Sequence, residues 1–458
     1  MPYSTIQQDR LVPWKTEMRA MLKLGIPMGL TQLVQFFIYT IDVLMIGRLG
    51  PDELAASSLG IVIFFTLFLL GFGPAMASSP MVSQALGADE NDTTDVRRSV
   101  RMAIWFGFFV FPIALAVVFF SERIALALGQ PPELAALAQP YLIALAPGLP
   151  FALGVIVLRN FLAAIDRTRV PLVIIIITTV INATLNYLLI YGNFGFPRLE
   201  LVGAGIASSF SYFIGFCMLI AYIQRDKRGQ QFDLLSNPFK PDWPRFKEVV
   251  QLGWPIGATS AFEGMLFNAC VLVMGVIGVN EVASYQISVN LAALAFMIPL
   301  GFSMAGATRV GLAEGAGNRD GVRRATWLTI FFCIVTIMVV AVPAALVPEW
   351  IAGLYIPADK AENAEVVRWV IVFLPMAAAF MLFDAVQVAA NQCLRGLKDV
   401  RVPMVLTGIS YWGIGFPIAY YLGLHTSAGP AGVWWGLTAG LAAASVTLGA
   451  RLWWVARK

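Results

Sequence analysis

Charge is scarce in this chain. Asp, Glu, Lys and Arg together make up 13% of its 458 residues, against about 25% in soluble domains. That excludes a soluble globular fold. Histidine is nearly missing: His425 stands alone near an outer loop, where it is expected to be solvated. No Gly-Lys dipeptide occurs, so this chain has no Walker A loop and is no ATP-driven motor. HExxH, GxSxG and a potassium-filter TVGYG are also missing, which argues against hydrolytic chemistry and a potassium pore. Cys217, Cys270, Cys333 and Cys393 fall in or at the ends of apolar runs, with no CxxC spacing. They are read as free thiols, not as disulfides or zinc ligands. The apolar runs do not alternate with period two, which excludes a closed β-barrel. The net charge of +4 is modest and makes no case for nucleic acid.

Apolar residues make up 59% of the sequence. A helical span needs about 20 of them in succession. Such stretches fall at about 21–47, 54–84, 98–121, 137–158, 166–191 and 202–224, then at about 250–275, 283–312, 323–347, 366–393, 402–423 and 430–453. The expected fold is all-α: a membrane protein of twelve transmembrane helices in two pseudo-symmetric six-helix bundles. Residues 1–224 form an N-lobe, 225–248 a cytoplasmic linker rich in charge and proline, and 249–458 a C-lobe. Met1 to Ala20 carries Asp9, Arg10, Lys15, Glu17 and Arg19 and has no apolar core. It reads as a surface helix leading into the first span, and not as a cleaved signal.

Orientation follows from Lys and Arg. With both termini in the cytoplasm, every basic residue lies inside except Arg48, Arg123, Arg198, Lys360 and Arg368. Arg159 and Arg309 are counted here in inner connectors. The positive-inside rule supports that topology.

The two halves repeat. Leu24-Gly25-Ile26-Pro27 recurs as Leu252-Gly253-Trp254-Pro255. Gly47, Gly50, Gly73, Met76 and Gly87 recur at Gly275, Gly278, Gly301, Met304 and Gly315, all at one offset of 228 residues. Arg97-Arg98 matches Arg323-Arg324, and Arg169-Val170-Pro171 matches Arg401-Val402-Pro403. An even number of spans per repeat gives both the same orientation, related by an axis along the membrane normal.

Asp42, Glu263 and Asp384 are the acids that fall deep inside apolar spans. Each costs roughly 2.5–3.5 kcal/mol there, even on lenient insertion scales. The repeat does not duplicate them: Asp42 aligns with Cys270, Glu263 with Gln35, and Asp384 approximately with Ala152. The scaffold is shared and the charges are not, which points to function. Each acid sits on a polar stripe at helical spacing. The first is Gln32, Gln35, Tyr39 and Asp42; the seventh span has Thr259, Ser260 and Glu263 with Asn268 nearby; the tenth has Asp384, Gln387 and Asn391. The fifth span adds Thr178, Asn182 and Asn186, and the eighth Gln286 and Asn290. For the amides, interhelical hydrogen bonding is the plainer reading. For the acids, holding a cation is the stronger one. A carboxylate with amide and hydroxyl oxygens suits Na⁺, and a carboxylate alone suits H⁺. Candidate cation ligands are therefore Asp42, Asn182, Asn186, Glu263 and Asp384, with Na⁺ possible at the three acids. Gln35, Tyr39, Gln286, Asn290, Gln387 and Asn391 are candidate cavity residues. Pro27 and Pro255, early in equivalent spans, are either fixed kinks inherited by duplication or hinges.

Several stretches together resemble the multidrug and toxic compound extrusion (MATE) family in its NorM-like branch. They are Leu24-Gly25-Ile26-Pro27, Tyr39 to Gly47, Asn182-Ala183-Thr184-Leu185-Asn186-Tyr187, Tyr191 to Gly195, Gly253 to Gly257 and Leu394-Arg395-Gly396. The resemblance implies two six-helix lobes in a V around a central cavity, and export of cationic or amphipathic compounds against entry of Na⁺ or H⁺. It places the N-lobe cation-linked acid on Asp42, with Asn182 and Asn186 alongside, and the C-lobe pair on Glu263 and Asp384. In the family's branch that lacks the C-lobe acids a second N-lobe Asp is frequent in the fifth span; here that span carries Asn182 and Asn186 instead. The expected protein is a monomeric, multi-pass antiporter of the bacterial inner membrane, surrounded by lipid, with no cofactor beyond the coupling ion. A lipid-linked precursor flippase of related fold is the alternative. It would carry cations in its cavity for a diphosphate.

Overall fold

A computed structural model describes residues 13–91, 93–355 and 364–457. Expectations that fall on residues 1–12, Lys360 and Lys458 lie outside the described residues. Twelve helices are long and apolar enough to cross a membrane. They are α1 (Trp14–Gly47), α2 (Pro51–Ala88), α3 (Thr93–Phe119), α4 (Pro132–Ala164), α5 (Arg169–Tyr191) and α6 (Glu200–Arg225), then α7 (Trp243–Ile277), α8 (Val279–Gly315), α9 (Arg319–Leu346), α10 (Ala364–Gly396), α11 (Arg401–His425) and α12 (Pro430–Val455). No strand occurs among the described residues. The helices overrun the apolar stretches. At 38 residues, α2 is about 57 Å long against a hydrocarbon layer of about 30 Å. Likewise α1 begins at Trp14 and continues without a break. Lys15 to Ala20 therefore extend the first span and do not form a separate surface helix.

Proline and glycine set the local departures. A 3₁₀ turn at Ala146–Gly148 interrupts α4, next to Pro147 and Pro150. A π-helical stretch, Ile409–Gly415, interrupts α11 just before Pro417. Pro417 has no N–H to give the preceding turn, which favours the wider winding. Gly192 closes α5 in the left-handed conformation (φ 72°), and its N–H donates to the Leu188 carbonyl at 3.0 Å. Pro27 and Pro255 lie within unbroken helices.

The helices gather into two compact units. One holds the described part of Met1–Gln32 with Ala258–Lys458, and the other Leu33–Gly257. The boundaries cut α1 and α7 shortly after their prolines, so the compact units do not coincide with the sequence repeats. Glycine explains this exchange. In one unit a Cβ on Gly73 of α2 would lie 2.1 Å from the Gly253 carbonyl oxygen of α7. In the other, a Cβ on Gly301 of α8 would lie 2.1 Å from the Gly29 nitrogen of α1. Gly73 and Gly301 are repeat equivalents. Their missing side chains let backbones meet, the usual basis of close helix crossing in membranes.

Ions fasten the same crossings at their charged ends. Arg98 of α3 bonds Asp242, and Arg245 of α7 lies 3.1 Å from Asp95. In the other unit Arg309 of α8 grips Glu17 of α1, and Arg324 stands 5.9 Å over the Trp14 ring. Glu17 is 3% exposed and Arg309 9%. This corrects two expectations: Glu17 is not a surface residue and Arg309 is not in a connector. The segment 225–248 is held to its unit as well. Trp105 donates to the Pro238 carbonyl at 2.7 Å, and the buried Phe232 packs edge-on against Phe161. The four cysteines are free thiols, three of them buried. Trp434 is fully buried against Tyr285, Phe373 and Phe380, whereas Trp435, Trp453 and Trp454 are exposed.

Candidate functional site

In the unit Leu33–Gly257, Asp42 projects from α1 toward α5. Residues 178, 182 and 186 recur every fourth position and so form one stripe on α5. Thr178, Asn182 and Asn186 are all buried. Asn186 Nδ2 donates to Asp42 Oδ1 at 2.6 Å and to Asn182 Oδ1 at 3.2 Å. Asn182 Nδ2 reaches Ser208 Oγ of α6 at 3.5 Å, and the Ser208 hydroxyl hydrogen-bonds Asp42. The four side chains close a ring in which Asn186 and Ser208 bond the carboxylate and Asn182 bridges the two. The Tyr191 hydroxyl donates to the Met45 carbonyl at 2.7 Å, which fixes α1 against α5 one turn beyond Asp42. Asn186 Oδ1 is buried without a hydrogen-bond partner. An amide oxygen of this kind can accept a hydrogen bond or ligate a cation.

A cavity of about 250 Å³ opens beside this ring. Asp42, Tyr39 and Gln35 line it from α1, Thr178 and Asn182 from α5, and Tyr212 from α6. It also contains Arg159, whose Nη1 donates to Gln35 Oε1 at 3.1 Å. This corrects the reading of Arg159 as a connector residue. The apolar run ends at residue 158, but the helix continues to Ala164 and keeps Arg159 in phase with Ala152, Val155 and Ile156 on the cavity wall. That phase was the available signal. Thr178 faces the cavity but spends its hydroxyl on the Ile175 carbonyl of its own helix.

The other unit holds Glu263 and Asp384. Asp384, Gln387, Asn391 and Arg395 fall on one face of α10, all buried. The charge of Arg395 acts on Glu263, that of Glu263 acts on Asp384, and the Tyr411 ring lies in the field of both acids. Tyr411 belongs to the π-helical stretch of α11 and is fully buried. A Cβ on Gly408 would meet the Phe262 ring at 3.2 Å, so α11 packs onto α7 beside Glu263. Asp384 Oδ1 and the Tyr411 hydroxyl are both buried with no hydrogen-bond partner. Arg395, counted from sequence with an inner connector, lies inside α10, and neither it nor Tyr411 was singled out as a site residue. The first is masked by the connector it adjoins, and the second by an apolar run.

Other candidates stand apart. Gln286 and Asn290 are exposed and line no described cavity with the acids. Asn268 donates to the Gly264 carbonyl of its own helix at 3.0 Å. Among the described residues no three His, Cys, Asp or Glu side chains gather into one metal-holding cluster. Asp42 on one side and Glu263 with Asp384 on the other belong to different units.

Comparison with known proteins matches the family model MatE to residues 27–188 and 255–421. The two matched stretches begin at Pro27 and Pro255, the repeat-equivalent prolines. The chain is 42% identical to "Probable multidrug resistance protein NorM" of Rhizobium meliloti (strain 1021), over 97% of this chain and 95% of the relative. It is 38% identical to the protein of the same name in Mesorhizobium japonicum, over 95% of this chain and 93% of the relative. A crystal structure of a eukaryotic MATE transporter superposes with a TM-score of 0.83 at 21% identity, covering 96% of each chain.

Proposed function

The chain belongs to the MatE family, and from that premise we propose that it is a cation-coupled antiporter that exports cationic or amphipathic compounds by alternating access. The relatives named for multidrug resistance support the substrate class. Asp42, held 2.6 Å from Asn186 on the wall of a cavity, carries the coupling argument. An anion kept in a low-dielectric interior stabilises a cation or proton beside it. Glu263 and Asp384 act on each other in the second unit, and two such acids repel unless a proton or cation is loaded. Na⁺ or H⁺ entering binds these acids, substrate favours the opposite conformation, and that difference in affinity drives exchange. One elementary charge crossing 100 mV supplies about 2.3 kcal/mol, enough for a gradient of roughly fortyfold.

The protein works in the bacterial inner membrane among lipids as a monomer, with both termini cytoplasmic. Its lobes are 1–224 and 249–458, joined by 225–248, and Pro27 and Pro255 act as hinges. The test is ethidium efflux from cells carrying Asp42→Asn, Glu263→Gln or Asp384→Asn, paired with proteoliposomes given a Na⁺ or a pH gradient singly. Loss of efflux in the acid variants, and substrate movement under one gradient, are expected. Undiminished efflux in all three variants, or movement under neither gradient, rejects the reading. A diphosphate-lipid flippase would want several cations facing its cavity, whereas among the described residues Arg159 is the one lysine or arginine lining this one, and it shares the wall with Asp42.

A further inference from the structure

The segment 225–248 meets α3 well past the start of that helix. The helix ends at Phe119, and Ser121, Glu122 and Arg123 follow. Counting back about 20 residues, the length that crosses the hydrocarbon layer, puts the other boundary of that layer near Val100. Arg101 stands at this boundary and Trp105 just inside it. Both side chains hold the segment. Trp105 Nε1 donates to the Pro238 carbonyl at 2.7 Å, and Arg101 Nη1 to the Asn237 carbonyl at 3.3 Å. The tip is equipped for that depth. The Asn237 carbonyl also closes a turn by accepting the Lys240 N–H at 3.0 Å, and Pro238 has no N–H to leave unpaired. Backbone satisfied in this way is tolerated where hydrocarbon replaces water.

Phe239, within this turn, is 86% exposed, and Trp243 63%. Trp243 packs edge-on against Phe246 with centroids 5.8 Å apart, and Phe246 meets Phe106 and Phe109 of α3 at the same distance. One aromatic row thus runs from the segment onto the exposed apolar side of α3. The acids of the segment are each taken by an arginine: Asp226 by Arg167, Asp233 by Arg97, Asp242 by Arg98 and Glu248 by Arg245. Lys227 and Lys240 stand exposed, so the segment presents positive charge outward. We infer that residues 235–243 form an interfacial loop whose partner is the bilayer: Phe239 and Trp243 enter the leaflet at the boundary of acyl chains and headgroups, and Lys227 and Lys240 take the phosphates of anionic phospholipids. The depth of the loop is independent of the export reading. The orientation proposed above decides only that the leaflet is the cytoplasmic one.

The test uses the full chain in nanodiscs of phosphatidylcholine, alone or mixed with phosphatidylglycerol. Phe239→Cys carries an NBD fluorophore in a Cys217→Ser background, which removes the exposed thiol and keeps the three buried ones. The dye is expected to be quenched by a nitroxide on the upper acyl chain and shielded from aqueous iodide. In unlabelled protein, trypsin is expected to cut after Lys240 about tenfold or more faster in Phe239→Asp than in wild type, the worth of a phenyl group withdrawn from an apolar medium. Phosphatidylglycerol should slow the cutting of wild type, and high salt should reverse that. Free quenching by iodide with none from the lipid, or equal cutting of wild type and Phe239→Asp, places the loop in water and overturns the inference. Cutting that ignores phosphatidylglycerol overturns the assignment to anionic headgroups. Protection that grows with protein concentration in detergent, and is missing in single-copy discs, assigns the loop to a second copy of this chain and overturns it as well. Ethidium export is measured separately, so neither reading falls with the other.

Discussion

Arg309 holds Glu17 through two parallel N–H···O bonds, Nε to Oε1 at 2.7 Å and Nη2 to Oε2, with both side chains almost fully buried. The pair ties the start of α1 to the end of α8, residues separated by most of the chain. Removing one partner leaves the other charge buried, which costs about 3–5 kcal/mol. Glu17→Ala and Arg309→Ala are each expected to lower the melting temperature by several degrees in detergent. The double change Glu17→Met with Arg309→Met should restore most of that loss, because well-packed apolar groups replace a buried ion pair at little cost. If the double variant is as unstable as the single ones, the pair is not what secures the crossing.

Asn186 donates to both Asp42 and Asn182, whereas Asn182 does not bond the acid itself and reaches it only by way of Asn186 and Ser208. Asn186→Ala is therefore expected to slow ethidium export by about tenfold or more, the worth of a hydrogen bond to a charged group. Asn182→Ala should have the smaller effect. Export rates in energised vesicles, normalised to protein amount, decide the order.

Tyr411 buries a hydroxyl that has no partner in the protein. Deleting an unsatisfied polar group relieves a desolvation penalty of about 1–3 kcal/mol. Tyr411→Phe should thus leave thermal stability unchanged or raised. If the hydroxyl meets a cation or water held by Glu263 and Asp384, export should fall at the same time. A variant that is more stable and fully active would remove Tyr411 from the site.

Arg98 donates to Asp242 and holds its carboxyl below the usual carboxylate range, with the Arg245 backbone N–H adding to the effect. A lowered folded value means the attachment is complete above the ordinary carboxylate value and fades only as pH falls through the depressed one. The segment before α7 should therefore resist trypsin equally at pH 6 and pH 9. Asp242→Asn, which removes the charge at every pH, should speed cleavage at Lys227, Arg228 or Lys240 under the same conditions. Equal cleavage rates would show that Arg101 and Trp105, which bond the carbonyls of Asn237 and Pro238, suffice without the ion pair.

Much of this was legible in the sequence because the membrane imposes a one-dimensional rule. Spans must be apolar and about 20 residues long, so hydropathy alone placed the twelve helices. The cost of charge in hydrocarbon singled out Asp42, Glu263 and Asp384 without any contact being known. The same rule failed at helix ends. Glu17, Arg159 and Arg309 sit where apolar runs stop, and hydropathy assigned them to water. Each instead meets a partner brought in by another helix, which pattern along the chain cannot register.

The sequence by itself determined that this is a twelve-helix membrane protein built by duplication, with unduplicated acids inside it. Hydrophobicity and repeat are properties of the chain read in order, and both survive without folding. Only the tertiary structure decided that the first halves of α1 and α7 pack with the opposite repeat, that Asn186 rather than Asn182 bonds Asp42 directly, and that Arg159 shares a cavity wall with that acid. Those outcomes depend on which glycine lets which backbone approach and on the rotation of each helix about its axis. Both are fixed only when helices distant in sequence pack together.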